Sequence, residues 1–386
     1  MKIIADENIP FVREAFKNIG NVITLSGRKI TNDVVNDAEI LLVRSITPVD
    51  KNLLKKSPIK FVATATIGMD HLDIEYLKSK NISFRNAAGS NANSVAEYII
   101  AALLHHACTH QISLKGKSLG IVGVGNIGSK MVNYARALGM EVVQNDPPRA
   151  RASGASHFRP LDELMDCDFI TLHVPLTIEG IDRTWHLFDE ERIMKMKPGS
   201  VLLNSSRGPV VATSAAKKAL FQHHLKAVIL DVWENEPKID PELLNLVEIG
   251  TPHIAGYSYD GKINGTRMIY EAACEFFNLK PDWDASEALP IPVPNEIPIP
   301  AASLSSEEIF YQVIKQIYDI ELDDNHLSEL FQKPASEQGA YFDHLRKSYR
   351  TRREFHNYRL NLPANRPDLK NIFRQLGFKI NEVDTI

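Results

Sequence analysis

Three polar residues of the types that move protons and hold acids stand just past three successive apolar runs. They are Arg207 in Asn204-Ser205-Ser206-Arg207-Gly208, Glu236 in Asp231-Val232-Trp233-Glu234-Asn235-Glu236-Pro237, and His253 in Thr251-Pro252-His253-Ile254-Ala255-Gly256-Tyr257. A histidine serves as acid and base near neutral pH, and a carboxylate beside it fixes its tautomer and raises its proton affinity. An arginine's planar fork matches a carboxylate and a carbonyl oxygen together. Singly, each reads as a strand-end salt bridge or a capping histidine. Together they fit oxidation of a 2-hydroxy acid, which needs a base for the hydroxyl proton, a cation for the carboxylate and a hydride acceptor.

A site for the acceptor stands upstream. Leu119 to Val122 reads as a buried strand, Gly123-Val124-Gly125-Asn126-Ile127-Gly128 as a tight turn opening a helix, and Met140 to Asn145 as a second strand ending at Asp146. Gly123 permits the turn, Gly125 lets the backbone approach a pyrophosphate, and Gly128 lets the helix pack close on the strand. The diphosphate then lies at a helix N-terminus, where N–H groups and the dipole favour negative charge. Asp146, 18 residues after Gly128, is placed to take both ribose hydroxyls, which selects NAD over NADP. Arg149 is the one residue nearby that would accept a 2′-phosphate.

These residues need a sheet to hold them. Residues 1–95 alternate apolar strands (Lys2 to Ala5, Ile40 to Arg44, Phe61 to Ala65, Ile82 to Arg85) with polar helices, which predicts a parallel sheet. Ligands gather at the carboxyl ends of such strands. Arg44-Ser45-Ile46-Thr47-Pro48 therefore offers a guanidinium and hydroxyls, and Thr66-Ile67-Gly68-Met69-Asp70-His71 a loop whose N–H groups suit a carboxylate; ordinary turn chemistry accounts for both equally well. Ser94 and Glu97 read as a capping box before an apolar helix, Tyr98 to His106, expected to be buried between domains. His105, His106 and His110 read as packing or surface histidines. From 115 to 255 six strands follow, the count for two mononucleotide-binding halves, with Val174 at one of their ends.

At this point the chain resembles the D-isomer-specific 2-hydroxyacid dehydrogenases. The motifs at 122–128, 204–208, 230–237 and 251–256 carry the likeness, which covers residues 1 to about 280. It implies that His253 is the acid/base, Glu236 its partner and Arg207 the substrate cation. Asp146, Asp231, Gly256 and the backbone of Ser205, Ser206 and Arg207 would touch NAD, while Ser45, Thr66 and Tyr257 would touch substrate. Where family members usually place an acid after the arginine loop, this chain has Val210-Val211-Ala212-Thr213, past the catalytic residue.

The implied fold is α/β: two doubly wound parallel-sheet domains, flavodoxin-like for substrate (1–95 and 257–285) and Rossmann for nucleotide (96–256). A proline-rich linker, 286–302, then leads to a C-terminal α+β domain, 303–386, which the resemblance marks as a dimerisation domain. Five of the eleven residues from Pro290 to Pro300 are proline, predicting a stiff strap of about 30 Å at ~3.1 Å per residue. Helical runs are expected over Glu307 to Glu321 and Asn325 to Phe331. Strap and tail, with the motifs at 44–48 and 64–71, resemble those of family members that act on a phosphorylated 2-hydroxy acid, and the resemblance implies such a substrate. A 3-phosphoglycerate enzyme with a regulatory domain would show a β-α-β pattern, and none is read after 303. On one helix face Arg346, Arg350 and Arg353 would repel unless an anion lay between them, so they are candidates to help Arg44 hold a phosphate, with a solvated face as the plainer reading.

Bulk properties set the remaining bounds. With 386 residues, 44% hydrophobic and 24% charged, the chain fits two or three globular domains. A net charge of −4 argues against a general nucleic-acid binder. Cys108, Cys167 and Cys274 are too scattered for a disulfide framework or a metal motif, and no apolar run approaches a membrane span. The expectation is a cytoplasmic homodimer that binds NAD and no metal, nucleic acid or membrane. An NAD-sensing binding protein on the same scaffold is the alternative of a different class.

Overall fold

The computed structural model describes residues 1–300, 303–350, 352–362 and 366–381, without the side chains of 287 and 288. Thr351, within the basic cluster, and the ends of the linker and tail at 301–302 and 382–386 lie outside the described residues. The chain divides into two compact units, 1–91 with 258–290 and 92–257 with 291–386.

In the first unit β1 (Lys2–Asp6), β2 (Asn21–Leu25), β3 (Ile40–Val43), β4 (Phe61–Thr64) and β5 (Ser83–Asn86) form a parallel sheet in the order β2-β1-β3-β4-β5. β3 and β4 are buried throughout, hence their unbroken apolar runs. The sequence reading omits β2, an edge strand of mostly partial burial whose Asn-Val-Ile-Thr-Leu carries no strong run. Helix Tyr259–Phe276 returns to cover one face, with Ile269, Tyr270 and Ala273 packed among Ile3, Ile40 and Phe61. The strand order reverses between β1 and β3, and the crevice at such a reversal is where α/β sheets take ligands.

The second unit holds β6 (Ser118–Val122), β7 (Glu141–Asn145), β8 (Phe169–Leu172), β9 (Val201–Asn204), β10 (Ala227–Leu230) and β11 (Ile249–Gly250), all parallel, in the order β11-β10-β9-β8-β6-β7. Six strands agree with the expected count, although a single bridge at Gln144–Phe158 stands where a further edge strand would begin. Helix Ala92–Thr109 packs between helices Asn126–Ala137 and Ser306–Ile317. Each of its fully buried Leu or Ile side chains contributes about 1.5–3 kcal/mol of transfer free energy.

Ser94 and Glu97 do not form the expected capping box. The helix begins at Ala92, and both side chains are buried within it. Ser94 Oγ donates to Glu354 Oε1 at 2.7 Å, and Glu97 accepts Arg352 Nη1 at 2.9 Å and the Phe355 N–H at 2.7 Å. A serine and a glutamate at cap spacing can serve a buried ionic network equally well, and only the distant arginine tells the two apart.

The C-terminal stretch of this unit adds β12 (Glu296–Ile297), β13 (Arg359–Leu360) and β14 (Lys379–Ile380), a three-stranded parallel sheet. The strap bends at Val293–Pro294 before joining it, so it is not extended throughout. The expected helical runs fall on Ser306–Ile317 and Ile320–Ser328, divided where Asp319 caps the second. β13, helix Pro367–Gln375 and β14 make a β-α-β unit, which corrects the reading that no such pattern follows 303. Strands of two residues are too short to register as alternation.

His106 and His110, one helical turn apart, meet an acid from far along the chain. Their Nδ1 and Nε2 each lie 2.8 Å from a different oxygen of Glu248. Burial pushes the Glu248 carboxyl up, but the two imidazoles outweigh it and hold its pKa below the usual value. A group depressed in the folded state stabilises above its unfolded-state pKa and loses that contribution as pH falls through the folded value. Glu248→Gln should therefore be less stable than wild type at neutral pH, with the gap closing on acidification. Urea unfolding at a series of pH values measures it; a constant gap would contradict the assignment.

Candidate active site

The loops after β9, β10 and β11, three neighbouring strands, carry Arg207, Glu236 and His253. Asn204, the last residue of β9, fastens the first loop: its Oδ1 accepts from Ser206 N at 3.0 Å and Oγ at 2.8 Å, and its Nδ2 donates to the Arg207 carbonyl at 2.9 Å. Arg207 Nη1 donates to the Ser206 carbonyl at 2.8 Å. Gly208 brings this loop against the next one, since a Cβ there would lie 1.9 Å from the Trp233 carbonyl oxygen.

Asp231 holds the third loop. Fully buried, its carboxylate accepts from Thr251 Oγ1 at 2.7 Å, Ile254 N at 2.7 Å and Ala255 N at 3.0 Å. Burial raises its pKa despite these donors and the nearby His253. Between the fastened residues His253 sits at φ 57°, a left-handed conformation that costs a non-glycine residue roughly 1–3 kcal/mol and persists only where the surroundings impose it. Its backbone N–H donates to the Asp231 carbonyl at 2.7 Å.

The strained backbone aims the imidazole at Glu236: His253 Nδ1 and Glu236 Oε2 are 2.7 Å apart, and Glu236 Oε1 accepts the Trp233 N–H at 2.8 Å. Burial alone would raise the Glu236 pKa, but His253, the Trp233 N–H and Arg346 together lower it. The carboxylate is thus ionised at neutral pH and fixes Nδ1 as the protonated nitrogen, leaving Nε2 as the acceptor. Two residues away Glu234 makes a rival pair with His186, at 2.7 Å, but its other oxygen accepts the Thr213 N–H at 2.7 Å. That pair pins the start of helix Thr213–Phe221.

The nucleotide fingerprint follows β6. Gly123 has φ +87°, and a Cβ on it would lie 2.5 Å from the His173 carbonyl, beside Val174; one on Gly128 would lie 2.1 Å from the Gly123 carbonyl. A Cβ on Gly125 meets nothing within 4 Å. It opens on a cleft of about 610 Å³ lined by Gly125, Asn126, Ser129, Lys130, Asn133 and Arg149. Backbone space, helix N-terminus and lining lysine fit a dinucleotide's diphosphate. Asp146 Oδ2 accepts the Val124 N–H at 2.9 Å and Oδ1 the Arg149 N–H at 3.0 Å, tying the acid to the glycine loop. The Arg149 guanidinium turns back onto the Val124 carbonyl and the Phe158 ring. Ile127 is half-buried against the core behind the loop, and Gly256 and Tyr257 close the His253 loop, the Tyr257 N–H donating to the Ile254 carbonyl at 2.7 Å.

In the first unit Arg44 and Ser45 follow β3, beside the reversal of strand order. Thr66 Oγ1 is 2.7 Å from Thr64 Oγ1 and donates to the Gly68 carbonyl at 3.3 Å, while Asn86 Nδ2 holds the Ile67 carbonyl at 2.6 Å. Sequence reasoning missed Lys262, in the first turn of helix Tyr259–Phe276. Burial and the neighbouring Arg44 guanidinium lower its pKa. The only sequence signal was its position just after the histidine loop.

The proposed basic face does not form. Helix Ala335–Lys347 ends before two of its three arginines, with Arg350 paired to Asp323 at 2.5 Å and Arg353 bonded to Asn357 at 2.6 Å. Arg346 alone of the three is directed toward the loops of Glu236 and His253, within electrostatic reach of Glu236 and Tyr257.

Comparison with known proteins follows the same lines. Residues 88–255 match the D-isomer specific 2-hydroxyacid dehydrogenase, NAD binding domain, and residues 289–377 match a family described only as a domain of unknown function. The erythronate-4-phosphate dehydrogenase of Cellvibrio japonicus is 44% identical over 382 residues, 98% of this chain and 100% of the relative. That of Salinibacter ruber is 44% identical over 365 residues, 93% of each. Among solved structures, Aquifex aeolicus D-lactate dehydrogenase complexed with NAD and lactic acid matches at TM-score 0.59 and 28% identity, covering 72% of this chain and 96% of its own. NAD-bound 3-phosphoglycerate dehydrogenase of Entamoeba histolytica matches at TM-score 0.62 and 25% identity, covering 72% and 95%.

Proposed function

The chain belongs to the D-isomer-specific 2-hydroxyacid dehydrogenases, and we propose that it oxidises 4-phospho-D-erythronate to 2-oxo-3-hydroxy-4-phosphobutanoate with NAD, a step of pyridoxal 5′-phosphate synthesis. The observation that carries the substrate is the likeness to erythronate-4-phosphate dehydrogenases along nearly the whole chain, C-terminal region included. NAD, when bound, takes up the hydride from C2.

The chain's own residues do the rest. His253 accepts the C2 hydroxyl proton at Nε2 while Nδ1–H stays bonded to Glu236, whose negative charge stabilises the imidazolium that results. Arg207 holds the substrate carboxylate in its fork. Arg44, Ser45, Thr66, Gly68 and Tyr257 are the proposed substrate contacts, Gly68 through its loop's backbone. Asp146 takes the adenosine ribose, the 125–128 turn takes the diphosphate, and Val174, Ser205, Ser206, Asp231 and Gly256 border the nicotinamide half.

We assign a homodimer contact to the C-terminal region, supported by the exposure of Ile291 and Val293, at 76% and 94%, on its approach. Sedimentation as a monomer at micromolar concentration would remove that assignment. Three free cysteines suit a reducing cytoplasm, and among the described residues no helix is long and apolar enough to cross a membrane.

The test of the activity is NADH formation with 4-phosphoerythronate, erythronate and 3-phosphoglycerate compared side by side, under a trap for the oxo product. Preference for 4-phosphoerythronate is expected. Preference for 3-phosphoglycerate would keep the chemistry and change the substrate, and no turnover of any would favour an NAD-sensing binding protein.

A further inference from the structure

Helix Ala335–Lys347 is seated on the loop that carries Glu236. Phe342 and Leu345 pack into the cluster that holds Trp233, Ile239 and Leu243. Gly339 lies flat against the loop, where a Cβ would be 3.4 Å from Pro237 Cγ and 3.5 Å from Lys238 Cγ. Seven residues make two helical turns, so Arg346 leaves the helix on the same side as Gly339. Its guanidinium carbon lies 5.9 Å from the centre of the Tyr257 ring, and that ring is held from another side, edge-on, by Tyr349 at 5.8 Å.

The neighbouring arginines have structural partners: Arg350 with Asp323, and Arg352 with Glu97. Arg346 makes no such ion pair among the described residues, and its buried Nε, like that of Arg352, has no hydrogen-bond partner there. Burial disfavours its charge, but the Tyr257 hydroxyl and the Glu236 carboxylate outweigh that cost. A fixed cation with an unused donor is thus held beside the acid/base pair, supplied by a part of the chain outside the nucleotide sheet.

We infer that Arg346, together with the Tyr257 hydroxyl, forms a recognition site for the phosphate group of the substrate. This rests on the proposed oxidation of a phosphorylated 2-hydroxy acid and adds the residue that reads the phosphate. Such a substrate has two anionic ends. Arg207 serves the carboxylate from the loop after β9, leaving the second end in need of a cation. Lactic acid has no second anionic end, and the dehydrogenase solved with it covers only 72% of this chain while using 96% of its own. A guanidinium suits the role because its donors match phosphate oxygens in pairs and its charge does not titrate near neutral pH.

The experiment compares wild type, Arg346→Gln and Arg346→Lys on 4-phosphoerythronate and on unphosphorylated erythronate, with NAD-binding titrations to verify folding. Loss of charge-assisted hydrogen bonds to a phosphate should raise KM for 4-phosphoerythronate about 10- to 100-fold in Arg346→Gln, with kcat little changed. Erythronate kinetics should change far less than those of 4-phosphoerythronate, so that the preference for the phosphorylated substrate falls, and Arg346→Lys should recover part of the loss. Equal losses on both substrates would show that Arg346 acts through Glu236 instead and overturn the inference. An unchanged preference for the phosphorylated substrate would overturn it also, leaving the proposed reaction standing. A wild-type enzyme with no such preference would remove the proposed reaction itself, and this site with it.

Discussion

His253→Ala is expected to lower kcat about 10²- to 10⁴-fold, the range that a positioned acid/base contributes, while leaving NAD affinity close to that of wild type. The separation follows from geometry. The imidazole belongs to the loop after β11 and bonds Glu236 at 2.7 Å, whereas the diphosphate cleft belongs to the glycine turn after β6. Removing the ring takes away the proton acceptor and nothing in that cleft. It also relieves no strain, because alanine meets the same penalty at φ 57°, so the loop's anchors to Asp231 keep their load. Initial rates and a fluorescence titration with NADH measure the two quantities independently. A wild-type kcat would refute the assignment of His253, and a parallel loss of NADH affinity would mean that the loop itself had collapsed.

How far such residues could be found without coordinates depended on whether their signal was local. The glycine turn, the acid after β7 and the strand-end positions of Arg207, Glu236 and His253 are short-range patterns, because each strand, turn and helix is contiguous in sequence. Spacing alone does not separate Glu236 from Glu234, since both lie in one short loop and each faces a histidine. What escaped was long-range. Glu248 reaches His106 across 142 residues and Arg352 reaches Glu97 across 255, so neither pairing left a trace in local spacing. The basic cluster failed for another reason: its spacing assumed a continuous helix, and the helix stops at Lys347. The missed strands lacked length or burial, the two properties that periodicity needs.

Gly208→Ala should be the most damaging substitution at a position that touches no substrate. Alanine's Cβ would lie 1.9 Å from the Trp233 carbonyl oxygen, 2.0 Å from its carbon and 2.6 Å from the Glu234 nitrogen. All three are backbone atoms, so no side chain can swing aside and one loop must move. The Trp233 N–H is what holds Glu236 Oε1 at 2.8 Å, and Arg207 is the residue next to the intruding methyl. Displacement therefore separates the cation from the acid/base pair. Overpacking of this kind costs about 1–3 kcal/mol or more, and a shift near 1 Å in a reacting geometry costs about 10²-fold in rate. Both losses should appear together: a lower melting temperature and a kcat/KM down about 100-fold. Gly125→Ala is the opposite case. Its Cβ meets nothing within 4 Å in the protein and intrudes only on the space left for the diphosphate, so stability should hold while NAD affinity falls. If Gly208→Ala kept its melting temperature and its rate, the two loops would be free to separate, and the packing of Arg207 against the Glu236 loop could not be what assembles the site.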